Sequence, residues 1–353
     1  MRDEAPDQRV QDIGEQGLLK RLQAFCPADI VGDDAAVLDV PVGRSLIVTT
    51  DVLVDRVHFS DRTTSPEDVG WRAAAANLSD LAAMGAMPLG ITVGLGVPGD
   101  LAVNWVERLY QGLTDCLRQY GTVIVGGDVV RSPIITIAIT AFGEADPNRI
   151  IRRSTARSGD AIVVTGIHGA SRAGLELLLH PEQGQSLNPG DRTLLIQAHQ
   201  RPKPRLDVLP VLWRLWDKED AQNSKFKIQN SKFKIPLITG MDSSDGLADA
   251  VIQLCRASGI GARIERNQIP IPPMLIEWVT PEQAMNWALY GGEDFELVLC
   301  LPPEVAQILV DQLGDRAAMI GTTTLEPEVW LVDSSGSYPN ERLTFEQGFQ
   351  HFG

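Results

Sequence analysis

The stretch that most constrains this chain runs from Gly70 to Pro88 and reads GWRAAAANLSDLAAMGAMP. Its six alanines, at 73 to 76, 82 and 83, favour a helix and leave a thin cylinder that neighbours can approach closely. Pro66, Glu67 and Asp68 just upstream suit a helix first turn. Gly85 after Met84 suits a left-handed C-terminal residue, and Pro88 stops any continuation. Asn77 and Asp80 are spaced to share one face. A carboxylate on a helix this small-sided is costly to bury unless it meets a donor, a cation or a metal. An arginine or backbone amide would satisfy Asp80 as well as a functional role would, and the helix alone leaves both readings open.

At 353 residues the chain suggests two domains with room for sizeable cores. Hydrophobic content of 44% and charged content of 22% are those of a soluble globular protein. No apolar run is long enough to span a membrane, and the polar N-terminus MRDEAPDQRV does not read as a signal peptide, so the expected location is the cytoplasm. Cys26, Cys116, Cys255 and Cys300 are scattered without metal or redox spacing, which reads as reduced structural thiols. A net charge of −15 argues against nucleic acid as a partner. An acidic protein can still bind small anions if divalent cations sit between the two.

Along the chain, hydrophobic periodicity and turn signals predict helices over 12–25, 101–120, 168–180, 206–216, 281–289 and 303–313. They predict strands over 46–50, 52–59, 89–97, 122–125, 133–143, 161–165, 237–240, 261–265 and 295–301, with short strands near 318 and 329. A further helix follows Asp245 to about Ser258. Gly166-Ile-His-Gly169 reads as a tight strand-to-helix turn. The fold class is therefore α/β (α+β), with a first domain over 1–148 and a second over 149–353. Within the second, QNSKFKI occurs twice in tandem over 222–235. The copies carry no helical or strand repeat, so they read as an insertion in a surface loop.

Acidic residues recur beside Gly, Ser and Thr at the expected strand ends: Asp33-Asp34, Thr49-Thr50-Asp51, Asp80, Gly127-Asp128, Asp242 with Ser244-Asp245, and Glu293-Asp294. Strand ends are where α/β folds bind ligands. Any one cluster alone would pass for a turn or helix cap. Together they form a carboxylate-and-hydroxyl donor set, suited to Mg²⁺ or Mn²⁺ and not to Zn²⁺. There is no Walker A sequence, no HExxH and no GxSxG elbow. Of the five histidines only His58 lies near the acidic clusters, so no general base is expected. Phosphoryl transfer fits that inventory, because it asks mainly for positioning and charge neutralisation. A phosphate acceptor, with a second pKa of about 6, is already largely ionised at neutral pH. The obstacle is then repulsion between anions, which bound divalent ions remove.

Six blocks, GDDAAVL (32–38), TTDVLVDRVHF (49–59), NLSDLAAMGAMP (77–88), GGDVVRS (126–132), DSSDGLADA (242–250) and GGEDFEL (291–297), carry a family resemblance. In order and spacing the chain resembles the thiamine-monophosphate kinases over nearly its whole length. These belong with the aminoimidazole-ribonucleotide-synthetase-like proteins, which bind ATP without a P-loop. The resemblance implies an N-terminal domain whose mixed sheet forms a barrel in a homodimer, a C-terminal α/β domain, and active sites in the cleft between domains. It implies transfer of the ATP γ-phosphoryl group to thiamine monophosphate by direct in-line attack, assisted by several Mg²⁺ ions.

Carried over motif by motif, Asp34, Thr49, Thr50, Asp51, Asp80, Asp128, Asp242 and Asp245 would hold Mg²⁺. Tyr110, Gly127, Asp128, Arg153 and Ser244 would contact ATP, while His58, Glu293 and Phe349 would hold the thiamine phosphate. A surface strand position for His58, a linker position for Arg153 with Arg152 in its place, and a half-buried helical position for Tyr110 are the bland counterparts. Ser243 departs from the usual apolar residue and reads as a small packing defect. Phe349 stands where Trp or Tyr is common, and the 222–235 repeat lies outside the pattern. Selenophosphate synthetase is disfavoured because no N-terminal nucleophilic Cys sits in a glycine-rich loop. The hydrogenase-maturation relative is disfavoured because the chain ends His351-Phe352-Gly353 without its Cys. A nucleotide-binding regulator without turnover is the reading from another class, and the intact carboxylates weigh against it.

Overall fold

A computed structural model describes residues 8–27, 30–31, 35–222, 238–314 and 316–348. Residues 223–235 of the repeat, Asp34 and Phe349 lie outside them. The chain divides into two compact units. The first comprises 1–81, 87–144 and 200–202; the second comprises 82–86, 145–199 and 203–353.

The first unit contains α1 (Val10–Leu22), β1 (Ser45–Val54), most of α2 (Pro66–Ala83), β2 (Met87–Val97), α3 (Val103–Gln119), β3 (Ile124–Arg131) and most of β4 (Thr136–Ala145). Its sheet runs β1-β4-β2-β3, with β2 parallel to β3 and antiparallel to β4. The alanine-rich helix α2 is the buried spine of this unit: Ala73, Ala74, Ala75 and Leu78 have no exposed surface. Small residues let α3 cross it closely. A Cβ at Gly70 would fall 2.0 Å from the Leu109 carbonyl oxygen, and one at Gly112 would fall 1.9 Å from that of Glu67. The distant segment Gln200–Pro202 joins the same region. Arg201 pairs with Asp68 at 2.7 Å and lies over the Trp71 ring, whose indole N–H donates to the Pro202 carbonyl.

Two strand expectations for this unit change. Residues 52–59 do not form a second strand: β1 runs on to Val54, and the Val54 carbonyl then accepts the amides of Val57 and His58 in a tight turn. Arg56 takes φ +65° there. Gly126-Gly127-Asp128 does not end a strand but lies inside β3, because the glycines let the backbones close. A Cβ at Gly127 would sit 2.3 Å from the Val93 carbonyl oxygen. Asp51 likewise lies inside β1.

The second unit adds β5 (Ala161–Val164), α4 (Ala170–Leu179), α5 (Pro189–Gln200), α6 (Val208–Gln222), β6 (Thr239–Asp242), α7 (Leu247–Ser258), β7 (Gly261–Glu265), α8 (Pro273–Trp278), α9 (Pro281–Tyr290), β8 (Leu297–Leu301), α10 (Pro303–Leu313), β9 (Ala318–Thr324), β10 (Val329–Val332) and β11 (Glu341–Arg342). One mixed sheet runs β11-β10-β7-β9-β5-β8-β6. The all-buried strands β5 and β8 read as short continuous apolar runs, as interior strands should, while the buried edge strand β6 reads TGMD. α7 and α9 pack into the core with Val251, Leu254, Ala288 and Leu289. Gly85, at φ +73°, belongs to this unit and packs against the Arg149 carbonyl and Trp213. α5 and α8 have no counterpart in the sequence reading. α5 opens on Pro-Gly and mixes polar residues among its apolar ones, and α8 spans only six residues directly after Pro270 and Pro272.

Candidate active site

In the first unit the helix-borne carboxylate meets a strand hydroxyl. The Thr49 Oγ donates to Asp80 Oδ2 across β1 and α2, and both residues are half-buried. Strand alternation points Thr50 the other way, where its hydroxyl lies 2.9 Å from that of Thr140 on β4. Asp51 returns to the Thr49 face. Asp128 sits on the edge strand β3, beside the glycine pair.

A cavity of about 680 Å³ in the same unit adjoins Asp128. Tyr110, Gly126, Gly127 and Asp128 line it together with apolar side chains including Leu22, Val40 and Phe142. An apolar chamber with a few polar groups at one end suits a purine base and its ribose. Tyr110 is 4% exposed, packs against the Phe25 ring at 5.9 Å, and burial pushes its phenol well up. It contributes shape and not charge. The His58 Nδ1 accepts the Val54 amide at 3.1 Å, which leaves Nε2 as the protonated nitrogen of the neutral ring.

In the second unit Asp242 ends β6 and is 2% exposed. The Ser244 hydroxyl donates to it at 3.1 Å. Asp245 and Gly246 lead directly into α7, where Gly246 and not an aspartate is the N-cap. Arg153 is exposed, and its guanidinium donates to Gln253 on α7 at 2.6 Å. Arg152 instead bridges Thr239 through its backbone.

Glu293 stands in a loop of unusual backbone. Gly292, Glu293 and Phe295 all have positive φ, at +67°, +59° and +52°. Such conformations are costly for side-chain-bearing residues and persist where surroundings enforce them. The Glu293 amide donates to the Ser244 carbonyl at 2.7 Å, tying this loop to the Asp242–Asp245 turn. The neighbouring Asp294 has a different task. It accepts the amides of Gly169 and Ser171 and so caps α4 from outside. Burial pushes its carboxyl up to about 7, against the pull of those two amides.

Two buried histidines and one half-buried glutamate gave no signal in the sequence. His199, at the end of α5, lies beside Glu293 and Ser171. His168 packs in the Gly166–Gly169 turn and accepts from the Ser243 hydroxyl at Nε2, 3.1 Å away, while Nδ1 faces the Gly166 carbonyl. Ser243 is thus a hydrogen-bond partner and not a packing defect. Glu296 is held by Thr165 and Arg205. A lone histidine or glutamate between apolar residues gives no sign of its partner until the chain has folded.

Magnesium takes hard oxygen donors and commonly completes its shell with water and substrate phosphate. The pairs Thr49–Asp80 and Ser244–Asp242 fit that donor set. Among the described residues no three His, Cys, Asp or Glu side chains form a ready-made cluster. An ion bound here would therefore draw part of its shell from phosphate and water.

The chain is similar to known proteins over most of its length. Residues 32–145 match the model for the AIR synthase related protein, N-terminal domain. The thiamine-monophosphate kinase of Synechococcus elongatus is 50% identical over 347 residues, covering 98% of each chain. The crystal structure of that enzyme from Stenotrophomonas maltophilia superposes with a TM-score of 0.74 at 28% identity, over 89% of this chain and 95% of that one. AaThiL complexed with AMPPCP and TMP gives a TM-score of 0.69 at 30% identity, over 96% of this chain and 100% of that one. The two-domain fold with mixed sheets is the one these structures share, and by sequence similarity along almost its full length the chain belongs to the thiamine-monophosphate kinase family.

Proposed function

We infer that this protein phosphorylates thiamine monophosphate with ATP, giving thiamine diphosphate and ADP. The observation that carries the reading is 50% identity to a thiamine-monophosphate kinase across 98% of both chains. The AaThiL structure, bound to AMPPCP and TMP, places both kinds of substrate on a relative of the same fold.

In this reading residues 1–148 are an ATP- and Mg²⁺-binding and dimerisation domain, and residues 149–353 are a C-terminal α/β domain that also carries site residues. Tyr110 and Gly127, which line the cavity of the first unit, are assigned to ATP, as are Asp128, Arg153 and Ser244. Asp34, Thr49, Thr50, Asp51, Asp80, Asp128, Asp242 and Asp245 are assigned to metal. Bound Mg²⁺ supplies the charge neutralisation that lets one anionic phosphate approach another. His58, Glu293 and Phe349 orient the thiamine phosphate so that its own phosphate oxygen attacks in line. No side chain needs to remove a proton, because that oxygen is already ionised.

A homodimer is part of the proposal. β1 is an edge strand whose outer face shows Leu46, Val48 and Val52, each about half exposed. An unpaired edge with apolar side chains is a natural surface for a second copy. Among the described residues no helix is long and apolar enough to cross a membrane.

The test is ADP release from purified protein with Mg-ATP, with and without thiamine monophosphate. Release that requires thiamine monophosphate and stops with EDTA is expected. Nucleotide binding without stimulation by thiamine monophosphate would overturn the reading.

A further inference from the structure

We propose that Thr165, Arg205 and Glu296 are positioning residues for the Asp242–Asp245 turn, a role that rests on the assignment of Asp242 and Asp245 to metal and names the scaffold behind it. They fix the backbone of that turn before any ion arrives, so that Asp242 meets Mg²⁺ without rearranging.

Strand order brings the three residues to the turn. β8 lies between β5 and β6 and runs antiparallel to both. The C-terminal ends of β5 and β6 and the N-terminal end of β8 therefore meet at one end of the sheet. Thr165 follows β5, Glu296 precedes β8, and Asp242 closes β6 opposite Leu297.

The hydrogen bonds there interlock. The Ser243 amide donates to the Glu296 carbonyl at 2.9 Å, which carries the pairing of β6 with β8 one step into the turn. The Leu297 amide donates to the Thr165 hydroxyl at 2.9 Å, and that hydroxyl donates in turn to the Glu296 carboxylate at 2.6 Å. Arg205 clamps both neighbours: its Nη1 donates to the Thr165 carbonyl at 2.7 Å and to the Glu296 carboxylate. Its Nε and Nη2 donate to the Asp207 carboxylate at 3.0 and 3.1 Å. A Cβ at residue 166 would fall 2.2 Å from a Glu296 carboxylate oxygen, so only glycine lets the carboxylate lie against the end of β5.

Burial and charge mark this set as a support and not a ligand. The Arg205 and Glu296 side chains are only 16% and 14% exposed. Oε2 of Glu296 accepts from both Thr165 and Arg205, so the carboxylate is turned to partners inside the protein. Such a pair adds little net stability, because desolvation offsets most of the attraction. It does fix geometry, since a planar guanidinium fork accepts few arrangements of its partners. An ion that completes its shell with phosphate and water depends on its few carboxylates being in place. Outer partners that orient ligands change metal affinity by about 10- to 100-fold when lost.

The experiment uses the full-length protein with a non-hydrolysable ATP analogue and Mn²⁺ as the probe ion, its binding followed by electron paramagnetic resonance. Thr165→Val removes the hydroxyl at nearly constant shape, and Thr165→Ser keeps it. Thr165→Val is expected to weaken Mn²⁺ binding about tenfold and to speed hydrogen exchange of the Ser243 amide in metal-free protein, while Thr165→Ser stays near wild type in both. Magnesium titrations of ADP release should shift about tenfold in Thr165→Val, with KM for thiamine monophosphate within a factor of about two. Arg205→Lys, which keeps the charge but not the fork, is expected to weaken Mn²⁺ binding in the same direction. Wild-type Mn²⁺ affinity in a folded Thr165→Val or Arg205→Lys protein, whatever its melting temperature, would overturn the proposal, since the set would then serve folding alone. Wild-type protein gives a check that needs no variant: a Ser243 amide that exchanges freely until metal is added would show that the turn is not preformed. Asp242→Asn separates these failures from failure of the metal assignment. If that variant also binds Mn²⁺ as wild type does, Asp242 is not a ligand and the assignment itself falls.

Discussion

The Nδ1 of His199 lies 3.6 Å from Oε2 of Glu293, with His199 almost fully buried and Glu293 about one-third exposed. The same nitrogen is 3.3 Å from the Ser171 hydroxyl. Glu293 is thus fixed twice, by a left-handed backbone and by an imidazole behind its carboxylate. A carboxylate held in this way presents its other oxygen to a ligand without first losing rotamer freedom.

Replacing His199 should therefore weaken acceptor binding more than it weakens chemistry. His199→Ala is expected to raise KM for thiamine monophosphate by about tenfold while KM for ATP stays within a factor of about two. His199→Asn, which can still donate to Glu293, should recover part of the loss. Steady-state kinetics with each substrate varied in turn separate the two constants. An equal fall in kcat with both KM values unchanged would show that His199 acts elsewhere.

The contrast between His199 and Asp80 shows what could be read before folding. Asp80 announced itself, since a carboxylate among fully buried alanines requires an explanation and Thr49 supplies one. Strands such as β2, β5 and β8 were legible as apolar runs, whereas β11 carries only Glu341 and Arg342 and had no such signal. His199 sits on α5, a helix of mixed residues with no clear apolar stripe, and its partner is almost a hundred residues away. Gly126-Gly127-Asp128 misled in the other direction. Glycines usually end a strand, but here they are needed inside one because the neighbouring backbone comes too close for a Cβ. Asp294 looked like a ligand beside Glu293, and only the fold reveals it as the cap of α4.

The crossing of α2 and α3 makes a stability prediction. A methyl group at residue 112 would overlap the Glu67 carbonyl, and backbone cannot swing aside as a long side chain can. Gly112→Ala should cost about 1–3 kcal/mol through forced separation of the helices. Gly121→Ala, at φ +66° with nothing within 4 Å, tests backbone strain alone. Thermal melts of the two variants distinguish overlap from strain, and a Gly112→Ala protein as stable as wild type would show that the helices part freely.

The Thr49–Asp80 contact predicts a split between metal affinity and folding. Asp80→Asn retains size and hydrogen-bonding capacity, so its melting temperature should stay close to wild type. Its turnover should fall by at least about a hundredfold at fixed magnesium, because a neutral amide is a poor ligand for a hard cation. Thr49→Val removes only the hydroxyl and should raise the magnesium concentration for half-maximal rate by about tenfold or more. Magnesium titrations of ADP release check both. Near-normal turnover in Asp80→Asn would remove Asp80 from the metal set.

His168 predicts how stability changes with pH. Burial pushes its imidazole from the ordinary 6.5 down to about 4, with the Gly166 carbonyl opposing the shift. The folded ring therefore stays neutral in a range where the unfolded ring takes up a proton. Its contribution is present in full above about pH 6.5 and is lost as the pH falls towards 4, since the unfolded state then binds more protons. Asp294 has the opposite sign in an overlapping window: its raised pKa stabilises the folded form at low pH and is lost as the pH rises through about 7. The two slopes offset one another in the wild-type protein. His168→Asn removes one of them, so its destabilisation relative to wild type should be largest near neutral pH and should shrink towards about pH 5. Ser243→Ala, which strips Nε2 of its donor, should cost about 1–2 kcal/mol at neutral pH. Denaturant midpoints for wild type and both variants, taken near pH 7.5 and near pH 5, test this. A His168→Asn penalty that does not depend on pH would show that the buried ring contributes by packing alone.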